Sequence, residues 1–214
     1  MDMNARNKLE AKMVVGAIAL GLCSAVEAKT VTFNYQALFS AVNSAKVAKF
    51  PLDLGTLTPS SITAVVRRGG VDVSTLGCSF NMAYRSVTDM MLQDGLRTLA
   101  TYTATCINTV AVGDLATLTL TVNTTDPVLL IGGPSYSAGA LKNKLSWQHD
   151  SGFGFCQAFT LNGGWDNNWV PWNAIFNSNT QGETVVSISP TSSSSMTFAL
   201  QCDQHLRTVK MPVR

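Results

Sequence analysis

The chain has 214 residues, 15 of them Lys or Arg and 13 Asp or Glu, for a formal net charge of +2. That balance excludes the clustered basic surface that nucleic-acid binding requires. Charged residues make up only 13% of the chain, about half the usual share, and Ser and Thr supply most of the remaining polar groups.

The first 28 residues differ from the rest. Arg6, Lys8 and Lys12 precede an apolar run, MVVGAIALGLCSA, from Met13 to Ala25, and Val26-Glu27-Ala28 follows. This is the layout of a secretory signal peptide with cleavage after Ala28. The apolar run is shorter than the roughly 20 residues a membrane-spanning helix needs. An uncleaved N-terminal anchor is the main alternative and would be the chain's only link to a membrane. A lipoprotein anchored on Cys23 is disfavoured because Leu22 stands where a small residue is required. The remaining residues, 29–214, suit one domain.

Four cysteines remain beyond the leader: Cys78, Cys106, Cys156 and Cys202. An even number in a chain bound for an oxidising compartment predicts disulfides. Three pairings exist, and 78–106 with 156–202 is favoured because each joins neighbours in hairpin order. No C-x-x-C pair is present. Cys202-Asp203-Gln204-His205 is a lone half of a zinc motif, so neither a metal nor any other cofactor is expected.

In chain order, TVTFNY (30–35) alternates apolar and polar residues, as a half-buried strand does. From Ala37 to Phe50 the apolar residues Leu38, Ala41, Val42, Ala45 and Ala48 fall at helical spacing, and Pro51 ends the run. The expectation there is a short helix. Residues 61–66 and 71–76 flank Arg67-Arg68-Gly69-Gly70 and read as a hairpin. Residues 80–92 and 96–107 flank Asp94-Gly95, a strong tight-turn signal. With that turn, facing residues sum to 189, so Cys106 lies opposite Ala83 and the 78–106 bond requires a bulge or a strand break near Cys78.

Leu115 to Val122 is the cleanest strand, with Leu118, Leu120 and Val122 inward and threonines outward. Val128 to Ile131 is a short apolar run closed by Gly132-Gly133-Pro134. Strands follow near residues 153–161, 185–189 and 196–202. No βαβ alternation and no fixed repeat appears. The expected fold is all-β, an antiparallel β-sandwich or jelly-roll-like domain with one short N-terminal helix.

Enzymatic constellations are sparse. His149-Asp150-Ser151 holds three triad residue types, but adjacent residues cannot converge as nucleophile, base and orienter. Gly133-Pro134-Ser135-Tyr136-Ser137 lacks the second glycine of a nucleophile elbow. Glu183 is the only glutamate beyond the leader, and Asp150 with Asp166 is the remaining carboxylate pair for glycoside chemistry. The reading leans away from an enzyme.

Residues 162–173, NGGWDNNWVPWN, hold three of the four tryptophans. The glycines and Pro171 oppose a helix and push the backbone extended. Trp165, Trp169 and Trp172, with Trp147, Asp166, Asn167 and Asn168, combine flat apolar faces with neutral hydrogen-bonding groups. That combination most simply reads as a loop pinned into the core, then as a protein interface, and after that as a glycan platform. Low charge on the Thr-rich strands leans toward assembly. TVTFNYQALF could itself be an exchanged strand, although an ordinary first strand is the simpler reading. Asn123-Thr124-Thr125 fits a glycosylation sequon.

The expected function is therefore that of an exported, non-enzymatic structural or adhesive protein. It would be secreted, periplasmic or on the cell surface, and would associate with itself or with other exported proteins. The alternative is a secreted carbohydrate-binding module that uses the 162–173 loop on a glycan.

Overall fold

The computed structural model describes residues 27–88, 95–161, 169–172, 180–186 and 195–212, with the backbone alone for Leu161 and for 169–172. Among the described residues the protein is antiparallel β throughout, in three sheets, with two short 3-10 turns and no α-helix. Strands are numbered along the chain.

The first sheet has the order β1 (Lys29–Leu38), β8 (Leu115–Thr124), β4 (Ile62–Arg68), β5 (Val71–Asp72). The alternation seen in the sequence sets its register. Val31, Phe33 and Tyr35 stand opposite Val122, Leu120 and Leu118, so all six fall on one face and all are buried.

The second sheet runs β13 (Gln181–Val186), β10 (Ala140–His149), β9 (Val128–Ser137), β3 (Ala45–Asp53), β7 (Leu96–Cys106), β6 (Ser79–Thr88), with β2 (Ser40–Val42) paired to β3. It is two limbs joined narrowly, because β3 meets β9 only at Asp53 opposite Gly132. The open side of β3 accommodates Pro51, which brings no N–H to a ladder.

The third sheet has the order β12 (Trp169–Trp172), β11 (Cys156–Leu161), β14 (Ser195–Cys202), β15 (His205–Pro212).

Two apolar cores lie between these sheets. The larger joins the first sheet to β3, β7 and β9 through residues such as Phe33, Phe50, Tyr102, Leu118 and Ile131. The second packs Val128, Leu130, Leu145 and Trp147 against Ala158, Phe198, Leu200 and Val209 of the third sheet. Strand β9 serves both cores, with Leu129 and Ile131 in the first and Val128 and Leu130 in the second. A strand covered on both faces reads as a continuous apolar run, as this one does. It continues through Gly132-Gly133-Pro134 instead of ending there. A Cβ at Gly133 would collide with Leu52 and Tyr35, so the glycine permits that packing.

Several sequence expectations are corrected. The helix over 37–50 is a β-hairpin, in which β1 extends to Leu38 and β2 pairs with β3. Ala48, Phe50 and Leu52 are buried at alternate positions, whereas Ala41 and Val42, on the supposed helical face, are exposed. Asn43 makes the turn at φ 54°, a left-handed conformation that asparagine tolerates. Val73–Leu76, expected to continue a strand, forms a 3-10 turn after a β5 of only two residues. Strands β6 and β7 pair Ser79 with Thr105, so facing residues sum to 184 and not 189. That register centres on residue 92 and not on Asp94-Gly95, and it brings Cys78 beside Cys106 without a bulge. Strands β10 and β15 had no counterpart in the sequence reading.

Both favoured disulfides are present, Cys78–Cys106 and Cys156–Cys202. Disulfides persist chiefly in oxidising compartments. No helix among the described residues is long and apolar enough to cross a membrane.

Candidate functional site

The most distinctive exposed element is β6. It forms the edge of the second sheet and pairs only with β7 among the described residues. Its sequence, SFNMAYRSVT, carries a single charge, Arg85. Most of its side chains are exposed, with Met82 at 46%. A ten-residue strand whose outward-pointing N–H and C=O groups have no strand partner among the described residues, with one charged side chain, lacks the usual protection against pairing with another strand.

The inner face of β6 is aromatic. Phe80 stacks on Tyr102 with ring centroids 6.1 Å apart and planes 17° apart. Tyr84 meets the same ring edge-on at 5.9 Å, and the two hydroxyls are 3.0 Å apart. Burial raises the Tyr102 phenol far above its ordinary range, and the Tyr84 hydroxyl adds to the rise. Phe80 and Tyr84 nevertheless remain only partly buried. The first sheet is truncated on this side, because β5 has two residues and Val73–Leu76 replaces the rest with a 3-10 turn. The second sheet therefore overhangs, presenting an open backbone edge together with an incompletely covered apolar face.

One end of β6 is held firmly. The Asp72 side chain accepts from the Ser74 hydroxyl and backbone N–H, which lowers its pKa and caps the 3-10 turn. Gly77 turns at φ 71°, and the Cys78 N–H donates to the Val73 carbonyl at 3.1 Å. The Cys78–Cys106 bond then ties the start of β6 to the end of β7. A pre-shaped edge loses less entropy on docking than a mobile one.

The residues singled out from sequence are distributed differently. Trp147 is 1% exposed, in the middle of β10 and the second core, with its ring over Gly182. It offers no face to a ligand, and its assignment to the aromatic platform is corrected. Trp165, Asp166, Asn167 and Asn168 lie outside the described residues. For Trp169 and Trp172 the backbone is extended, as expected near Pro171, and forms the edge strand β12 against Leu161 and Ala158 of β11.

The carboxylates are engaged in structure. Asp150 pairs with Lys29, while Asp166 lies outside the described residues. Glu183 accepts from Lys144 Nζ at 2.8 Å. Asp53 is buried, with Arg97 Nε at 3.0 Å, and accepts from the backbone N–H of Lys210 at 2.7 Å and of Gly55 at 3.1 Å. It borders a cleft of about 220 Å³ that is also lined by Arg85, Asn143 and Met211. A carboxylate so occupied braces β3 against β15. Residues 133–137 lie within strand β9, with no strand-to-helix elbow.

Sequence reasoning missed β6 as an edge. Its signal was the single charge among ten strand-forming residues, masked by treating the segment as one arm of an ordinary hairpin. The sequence also left His149 and the Cys156–Cys202 pair unrelated, yet their ligand atoms lie within 4.8 Å of one another.

No family model, curated protein or solved structure matches this chain.

Proposed function

We propose that this protein is a non-enzymatic subunit of an exported assembly, a sandwich-type building block that associates with further copies of itself through β6. The observation that carries the reading is the open, nearly uncharged β6 edge lying over partly covered Phe80 and Tyr84. A strand from a neighbour would satisfy the free backbone groups and extend the sheet, while its side chains would cover the overhanging aromatic face. Two β6 edges are self-complementary in an antiparallel, two-fold arrangement, which suits a homomeric contact. Export is supported by the leader over residues 1–28 and by the two disulfides.

The test is light scattering and negative-stain imaging of the oxidised protein over a concentration series, beside the double variant Met82→Lys, Ala83→Lys. Two lysines on each edge place like charges against each other across the contact. Wild type is expected to form defined oligomers and the variant to remain monomeric with an unchanged fold. A wild type that stays monomeric at about 100 μM, far above the micromolar range typical of modest complexes, refutes the reading. Oligomers that survive the double lysine variant but dissociate in Trp169→Ala move the contact to the aromatic segment.

A further inference from the structure

Where β10 ends, three metal-ligating side chains converge from two sheets. His149 closes β10 and is 6% exposed; Cys156 opens β11 and Cys202 closes β14, at 4% and 0%. The two cysteines stand directly opposite each other in the β11–β14 ladder. A ring nitrogen of His149 and both sulfurs lie mutually within 4.8 Å. We infer that, whenever the Cys156–Cys202 bond is open, these three side chains form a binding site for a soft divalent cation, with zinc the natural occupant.

Ligand chemistry and local order both support this. Thiolate and imidazole are the donors that zinc prefers, and three protein ligands leave one position for water. Two sulfurs on one tetrahedral zinc lie about 3.8 Å apart at Zn–S distances of about 2.3 Å. Facing positions on neighbouring antiparallel strands, with Cβ atoms about 4.5–5.5 Å apart in general, span that separation once the bond is open.

The histidine is already oriented. Its Nδ1 lies 2.9 Å from the Asp150 carbonyl oxygen, and its backbone N–H donates to the Thr180 carbonyl at 2.7 Å. With Nδ1–H donating, the lone pair of the neutral ring is on Nε2, as in many metal-bound histidines whose other nitrogen is fixed by an outer partner. Phe153 packs edge-on against His149 at 6.2 Å and against His205 at 5.5 Å, shielding the site and separating the two rings. Asp203 fastens the surrounding loops, since its carboxylate accepts from the backbone N–H groups of Gly154 and Phe155 and its own N–H donates to the Phe155 carbonyl.

The C-x-x-H half-motif at Cys202–His205 thus finds its partners elsewhere in the fold, with His149 and not His205 supplying the imidazole. Metal binding and the disulfide are mutually exclusive states of one site. Binding releases the two thiol protons. Opening the bond consumes two electrons, which a phosphine supplies while becoming its oxide and taking up one water oxygen.

The experiment uses the full chain, reduced with a phosphine, desalted anaerobically and titrated with Co²⁺ and then Zn²⁺. One equivalent of cobalt should bind with thiolate-to-metal charge transfer and tetrahedral ligand-field bands, and zinc should displace it. The oxidised chain should show none of these bands. His149→Ala should weaken binding at least tenfold, and Cys156→Ser with Cys202→Ser should abolish it. Cys78→Ser with Cys106→Ser, and His205→Ala, should bind as wild type does. Near-ultraviolet circular dichroism follows the fold: a reduced chain that loses its signal and regains it with metal supports the site, because binding is coupled to folding. Absence of uptake, a fold that metal does not restore, binding that survives loss of Cys156 and Cys202, or wild-type affinity in His149→Ala would each overturn it.

Discussion

Strands β1 and β6 are both ten residues long and both end a sheet, yet they meet solvent in different ways. The outer side of β1 is covered by side chains from another sheet. The Asn34 N–H donates to Glu183 Oε1 at 3.2 Å, and Gln181 Nε2 donates to the Thr32 carbonyl at 3.4 Å. Its inward residues Val31, Phe33, Tyr35 and Ala37 are all buried. The sequence allowed β1 to be an exchanged strand, but here it forms a ten-residue ladder with β8 of its own chain. Among the described residues, strand β6 has no such cover. One fold thus closes one edge with polar side chains and leaves the other open, which is the physical basis for assigning association to β6.

The comparison can be broken from either side. Replacing Cys78 and Cys106 by serine removes the anchor of β6. The chain-entropy model, applied to their separation of 28 residues, gives a loss of about 3.5 kcal/mol, readable as a lower urea midpoint. The same variant should associate more weakly, because the edge is no longer held in shape. Glu183→Ala removes the acceptor that covers the Asn34 N–H of β1 and leaves the buried Lys144 ammonium without this partner. Since Glu183 is partly exposed, the expected cost is about 2 kcal/mol, below that of breaking a fully buried pair. Association through β1 should then appear even in the Met82→Lys, Ala83→Lys background.

Gly133→Ala tests the packing behind β1. Its Cβ would press on Tyr35 and Leu52, at about 1–3 kcal/mol for overpacking, seen as a lower thermal midpoint.

The smallest effect at neutral pH concerns Tyr35. Burial drives its phenol far above the ordinary range, the Ser146 hydroxyl pulls it partly back, and the Glu183 charge adds to the rise. Folded Tyr35 keeps its proton where the unfolded chain loses it. Its contribution is therefore complete below about pH 10 and declines above it by about 1.4 kcal/mol per pH unit. Tyr35→Phe should flatten that alkaline slope in urea titrations and leave stability near pH 7 little changed.

Much of this arrangement was legible in residue order. Alternation in TVTFNY and LATLTLTV revealed β1 and β8, and hairpin economy revealed both disulfides. The central layers were not legible, because strands covered on both faces do not alternate. ALKNKLSWQH of β10 reads as polar, yet Lys144 and Asn143 are buried with Glu183 and the Pro212 carbonyl as partners. Trp147 was grouped with the loop tryptophans by residue type, although its position in β10 places it in the core. The helix expected over 37–50 arose from small residues whose spacing matched two periods at once. The position of β6 at an edge depends on what the first sheet fails to cover, a property of packing that no local pattern records.

Hydrogen–deuterium exchange of the peptides covering 29–38 and 79–88, followed over a dilution series, tests the central assignment most directly. The outward-pointing amides of β6 should exchange rapidly in dilute protein and slow as association proceeds, while the amides of β1 bonded to β8 and Glu183 stay slow at every concentration. Slow, concentration-independent exchange in β6, or protection that grows in β1 instead, would contradict it.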